Sequence, residues 1–151
     1  MIDAPSAIAT EAHSQATHIW LSQGGLELLF DFGQQYDLTT LHFWNYTSES
    51  FDVDNIDFTL FDDLNVNVGA LSMTPALGSA PGIAAEDSVL IAPLNLRYVT
   101  AFLSGSHNGV VFQNIGFTVN LSTDRCITDP TVPICKPSLD VPSPQYWAYF
   151  H

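Results

Sequence analysis

The chain has 151 residues, 46% of them hydrophobic and 13% charged, which is enough apolar material for one packed domain and too much for a disordered one. Its charge is one-sided: 16 Asp and Glu stand against 3 Lys and Arg, a net of −13. Three basic residues cannot neutralise a phosphate backbone, so nucleic acid is excluded as a partner. The acidic surface reads as a solvated shell or, more sharply, as a place for divalent cations. No window of about 18 apolar residues exists, so no membrane span is expected. No basic stretch followed by an apolar one opens the chain, so no signal peptide is expected either.

Residues 1–16 are small and polar without a sustained period, and read as a loop or an irregular edge strand. His18-Ile19-Trp20-Leu21 reads as a short strand and Ser22-Gln23-Gly24-Gly25 as the turn after it. Leu28, Phe30 and Phe32 then alternate with Leu29, Asp31 and Gly33, the period of a half-buried strand. Gly33-Gln34-Gln35 reads as a turn into a second strand, Leu38 to Asn45, which is apolar on both faces as in a sheet covered on both sides. Asn45-Tyr46-Thr47-Ser48-Glu49-Ser50 leaves the sheet as a polar loop with one aromatic.

From Phe51 to Phe61 the alternation resumes, and its apolar set changes parity after Val53. That change predicts a bend, beyond which Ile56, Phe58 and Leu60 face the core. Asp62-Asp63-Leu64-Asn65 has the composition of a hairpin turn, Val66 to Leu71 that of a strand, and the segment from Pro75 to Glu86 that of a loop. Ser88 to Pro93 reads as a strand ended by Pro93, and Arg97 to Leu103 as the next. Ser104 to Gly109 is a turn and Val110 to Leu121 the closing strand.

About eight short strands, frequent turn signals and no amphipathic helix specify an all-β fold, an antiparallel β-sandwich or jelly roll. Leu28, Phe30, Leu41, Phe43, Phe58, Leu60, Val99, Ala101, Ile115 and Phe117 are its expected core. From Asp124 the character changes: the last 28 residues are Pro-rich and end in Tyr146, Trp147, Tyr149 and Phe150. The expected organisation is a sandwich over 1–123 and an extended arm over 124–151, whose aromatic tip is a candidate docking element for another subunit or partner. Cys126 and Cys135 are spaced to close a small disulfide loop, with free thiols the alternative; no CxxC pair or nearby His completes a zinc site.

The series Asp31-Phe32-Gly33, Tyr36-Asp37-Leu38 and Trp44-Asn45-Tyr46 resembles the discoidin, or coagulation factor 5/8 type C, group of galactose-binding-like domains. Asn95-Leu96-Arg97-Tyr98-Val99 is similar to that group's strand with an aromatic after Arg and then Val, Gly109 to Phe117 to its closing strand, and Thr17-His18-Ile19-Trp20 to its Thr-x-Trp element. Together these cover roughly residues 13 to 121 in the family order. The resemblance implies the galactose-binding-like jelly roll, with a ligand site in loops at one end of the sandwich. Those loops would be Trp20 to Gln23, Tyr46 to Ser50 and Ser104 to Asn108, and the expected ligand-binding residues are Trp20, Tyr46, Glu49, His107 and Asn108. It also implies packing and loop-bracing roles for Trp44 and Asn45. Calcium is a family option that His13, Ser14 and Asn114 weaken by standing where relatives carry anionic ligands. No cofactor is therefore expected.

Catalytic patterns are missing: there is no Gly-x-Ser-x-Gly elbow, HExxH, phosphate loop or dinucleotide fingerprint. His42 lies within a strand and reads as a packed residue, and Arg97 reads as a structural ion-pair partner. Two sequons, at Asn45 and Asn120, matter only in a secreting eukaryote. The resulting expectation is a non-catalytic, extracellular or surface-exposed module that binds carbohydrate or another surface ligand. The alternatives are a decoration or coat subunit that assembles through its arm, and an accessory domain of a larger secreted hydrolase.

Overall fold

The computed structural model describes residues 12–14, 19–21, 24–80, 82–107 and 109–121, with backbone alone at 13–14, 19–21, 89–94 and 121. The arm over 124–151 lies outside the described residues, and with it Cys126, Cys135, Tyr146, Trp147, Tyr149 and Phe150; so does Asn108. Eight strands follow one another: β1 (His13–Ser14), β2 (Ile19–Leu21), β3 (Leu26–Asn45), β4 (Asn55–Phe61), β5 (Asn67–Met73), β6 (Gly82–Ile83), β7 (Glu86–Ser104) and β8 (Val110–Leu121). There is no helix among the described residues. Six strands form one ribbon in the order β2-β8-β3-β7-β4-β5, antiparallel throughout, while β1 pairs with β6.

The ribbon becomes a sandwich because β3 and β7 are long and break register twice. At the first break Asp31 pairs with Tyr98 and Tyr36 with Leu96, so residues 32–35 of β3 stand opposite a single residue of β7. Gly33 takes a φ of +78° there, a conformation that favours a residue without Cβ. Asp31 Oδ1 accepts the Gly33 N–H at 2.8 Å, and Arg97 clamps the same carboxylate from the facing strand, Nε to Oδ1 at 3.0 Å and Nη2 to Oδ2 at 3.2 Å. Gly33-Gln34-Gln35 therefore makes a corner inside one strand and not the expected turn between two. Gly, Gln and an Asx-type bond can kink a ladder as readily as reverse it.

The second break lies between Leu38 and Thr40, where Thr39 is the extra residue against β8 and 90–93 are extra on β7. Pro93 falls inside that irregular stretch, where its missing N–H costs no ladder bond. It interrupts the pairing but does not end β7, as the sequence had suggested. The extra residue on β3 inverts its parity. Before it Leu28, Phe30 and Leu38 point inward; after it Leu41 and Phe43 do, and His42 and Trp44 turn to the outer face.

The first half of β3 with the second half of β7, β4 and β5 makes one layer; the second half of β3 with β8, β2 and the start of β7 makes the other. Phe117 of β8 meets Phe30 edge-on at 4.8 Å and Phe32 at 5.4 Å, which joins the two layers. Ile56, Phe58 and Leu60 face inward as the parity change after Val53 predicted, and all ten expected core residues are buried. Each large side chain in that core contributes about 1.5–3 kcal/mol of apolar burial. The bend itself is sharper than a bulge: residues 46–54 form a loop, and β4 begins at Asn55.

Candidate functional site

One end of the sandwich is formed where β3 runs out at Asn45, where β7 ends at Ser104 and where β8 begins at Val110. The loop over 46–54 is tied down from within by Asn45. Its Nδ2 donates to the Val53 carbonyl at 3.0 Å and the Ala76 carbonyl at 3.1 Å, and its Oδ1 accepts from the Tyr46 N–H at 2.9 Å and the Val53 N–H at 3.0 Å. Asn45 is buried, so these four bonds replace water that cannot reach it. Trp44 beside it is buried as well, which is the packing and bracing arrangement expected at this pair.

The loops are stitched to each other by two main-chain bonds and one to a side-chain carboxylate. Asp54 N–H donates to the Ser104 carbonyl at 2.9 Å, Val111 N–H to the Phe51 carbonyl at 2.6 Å, and Ser106 N–H to Asp54 Oδ2 at 2.5 Å. Gly105 lies where they touch: a Cβ at this position would stand 2.6 Å from the Asp52 carbonyl oxygen and 2.7 Å from that of Gly109. Only glycine lets the two backbones approach so closely. A third loop, 74–80, joins through Gly78 N–H, which donates to the Tyr46 carbonyl at 2.8 Å.

On this platform Ser48 accepts from both Phe51 N–H and Asp52 N–H at 3.0 Å, a tight turn that leaves Glu49 and Ser50 exposed. Phe51 is 46% exposed, an aromatic face at the surface. Asp52 is 7% exposed, and burial, then Asp54, then Glu49 push its carboxyl above the usual carboxylate range. His107 acts in the opposite direction. His107 itself is exposed, with Nδ1 3.1 Å from Ser106 Oγ. No group of three or more His, Cys, Asp and Glu side chains suited to a metal ion occurs among the described residues.

Of the expected ligand-binding residues, Glu49 and His107 share the surroundings of Asp52. Tyr46 stands at the root of the same loop, half-buried, on the side held by Gly78. The Trp20 backbone pairs with Val111, whose N–H reaches Phe51, so β2 arrives at this end too. Asn108 is outside the described residues. The sequence reading missed Phe51, Asp52 and Asp54, because their alternation with Val53 placed them in a strand; Ser104-Gly105-Ser106 was the signal that something must pack closely against them.

A second polar cluster lies on the outer face of the other layer. His42 Nδ1 is 2.7 Å from Asp87 Oδ1 and His42 Nε2 is 2.6 Å from Thr118 Oγ1, with the ring tilted against Trp44 at 6.3 Å. His42 is 5% exposed, and both ring nitrogens are satisfied by neighbouring strands. This is the packed histidine expected from its place in the strand.

No family model and no curated protein matches the chain. Among solved structures it is similar to the lectin domain of lectinolysin complexed with Lewis B antigen, at 16% identity over 70% of each chain and a TM-score of 0.47. It is similar also to a Streptococcus pneumoniae fucose-binding module, at 15% identity over 66% of this chain and 69% of that one, TM-score 0.47. CBM32-1 from a family 31 glycoside hydrolase of Clostridium perfringens stands at 12% identity over 68% of this chain and 76% of that one, TM-score 0.49. Each of these likenesses lies below 25% identity and below a TM-score of 0.5.

Proposed function

We propose that the chain is a non-catalytic recognition module that binds carbohydrate through the loops over 46–54 and 104–109, outside the cell or on a surface. The observation that carries this reading is the half-exposed Phe51 on the same loop as Glu49 and Asp52, which main-chain bonds tie to the loop that carries His107. Sugar recognition needs this combination: an apolar face for the carbon side of a pyranose and fixed acceptors and donors for its hydroxyls. Rigid loops lower the ordering cost of binding a flexible, hydrated ligand. Trp20, Tyr46 and Asn108 belong to the same proposed site. A glycan array should give specific hits, and Tyr46→Ala and His107→Ala should each weaken them while the melting temperature stays nearly constant. An array without hits above background contradicts the reading.

A second reading has an observation of its own. On the outer face of the first layer Leu29 is 66% exposed and Phe102 47%, on the paired strands β3 and β7. A subunit that assembles through this face and through Tyr146, Trp147, Tyr149 and Phe150 would hide them. Light scattering of the full chain and of a chain lacking 141–151 tests it: a concentration-dependent oligomer lost on truncation supports assembly, and a monomer in both contradicts it.

A further inference from the structure

We propose that β5 is a pairing edge, through which two copies of the chain join strand to strand, antiparallel, about a two-fold axis. β5 stands last in the six-stranded ribbon, so one side of Asn67–Met73 has no strand beside it among the described residues. Gly69 N–H donates to Asn67 Oδ1 of its own strand at 2.9 Å and not to β4. Peptide groups alternate in direction along an antiparallel strand, so those of Leu71 and Met73 face the open side with Gly69. Such a row is a template for another strand unless charge, proline or a bulge blunts it. Asn67–Met73 holds neither charge nor proline, and its register break against β4 lies before Gly69, which leaves Gly69 to Met73 regular.

Charge points to a second copy as the occupant. With a net of −13, two chains repel wherever their acidic surfaces meet. Residues 64–85 contain no Asp, Glu, Lys or Arg, so this is the stretch along which like chains can approach. β5 lies within it, and so do Leu64, Val66 and Leu77, which are 79%, 54% and 42% exposed. A two-fold centred on Leu71 sets Leu71 beside its copy, Gly69 opposite Met73 and Ala70 opposite Ser72. Asn67 Oδ1 then yields the Gly69 N–H to the Met73 carbonyl of the second copy. Leu71 packs on the core but is only half-buried, and its copy covers the rest. The same register carries the segment after β5, with Leu77, toward the hairpin that bears Leu64 and Val66. One strand and a few apolar side chains make an interface below about 1,200 Å², so the dimer is a weak one.

The test is sedimentation velocity of the full chain from about 1 to about 200 µM, with amide hydrogen exchange at both ends of that range. The expected result is a monomer–dimer equilibrium that tightens in about 0.5 M salt, because screening removes the repulsion between acidic surfaces. Exchange at Gly69, Leu71 and Met73 should slow as concentration rises. Two variants locate the contact. Ala70 is exposed, and in the pair it stands opposite Ser72, whose hydroxyl is bonded to Asp57. Ala70→Glu therefore sets a carboxylate near Asp57 of the second copy, and should weaken the dimer by about tenfold or more while the melting temperature stays nearly constant. Leu29→Glu puts the same charge on the outer face, away from the edge, and should leave the dimer intact. A monomer at every concentration overturns the pairing, as does exchange at the three amides that ignores concentration. So does a dimer that Ala70→Glu leaves unchanged, or one that Leu29→Glu weakens as much.

Discussion

Asp31 at the corner and Asp52 at the loop end carry the same side chain in opposite surroundings. Asp31 has its side chain 46% exposed, yet it is met by a two-pronged guanidinium and a peptide N–H. The Arg97 hydrogen bonds hold its carboxyl below the usual range. Asp52 is almost buried and is met mainly by other carboxylates, so its carboxyl stands above that range. The corner is a finished piece of architecture, in which charge fixes the kink that lets β3 serve both layers. The loop end instead keeps a nearly buried carboxylate near two others of its own sign.

Asn45→Ala should give the largest effect, because the loop end depends on one buried amide. Its four bonds, at about 1 kcal/mol each with two buried peptide partners left unsatisfied, predict a loss of about 3 kcal/mol in urea unfolding. A loss below about 1 kcal/mol would mean that the main-chain bonds hold the loop without it.

Phe51→Ala comes next and separates binding from stability. Glycan affinity should fall by about tenfold or more, which is about 1.4 kcal/mol. Because the ring is half-exposed, chemical denaturation should move by less than about 1 kcal/mol. Unchanged affinity would remove Phe51 from the site.

Arg97→Ala tests the corner, and its effect should be modest because the pair is partly exposed: about 0.5–1 kcal/mol at neutral pH. Its pH dependence is more telling. The folded state lowers the Asp31 carboxyl, so the stability Asp31 contributes is present above the ordinary carboxylate range and is lost as pH falls through the folded value. Arg97→Ala should therefore flatten the acid limb of a stability profile measured by urea titration. An unaltered limb would detach the pair from the acid response.

Asp52→Asn should have the smallest effect and the opposite sign. The folded state raises this carboxyl, so it binds its proton more tightly than the unfolded chain does. Stability is highest while Asp52 is protonated and declines as pH rises through the window from the ordinary value to the raised one. The variant should therefore be slightly more stable at neutral pH, by less than about 1 kcal/mol. A clear loss of stability would show that the charge is compensated in the folded chain.

The sequence disclosed the sandwich more readily than its corners, and the reason is physical. Burial imposes a period of two, so Leu28, Phe30, Ile56, Phe58 and Leu60 announce their faces without any knowledge of neighbours. A kink and a reversal draw on the same residues, so Gly33-Gln34-Gln35 read as a turn until Arg97 was seen gripping Asp31 from β7. Pro93 misled in the same way, since an interrupted ladder and an ended strand look alike in one dimension. The site was half legible. Glu49 and His107 lie in loops that the family resemblance could point to, whereas Asp52 and Asp54 alternate with Val53 as though in a strand. Their surroundings depend on Gly105 bringing a second loop against them, a contact between segments about 50 residues apart in the chain.

The most direct test of the central claim is a backbone amide chemical-shift titration with a sugar that scores on a glycan array. Binding at the loop end predicts saturable shifts at residues 46–54 and 104–109, with 31–36 and Arg97 silent. Saturable shifts confined to the corner or to the outer face around Leu29 and Phe102 would contradict it.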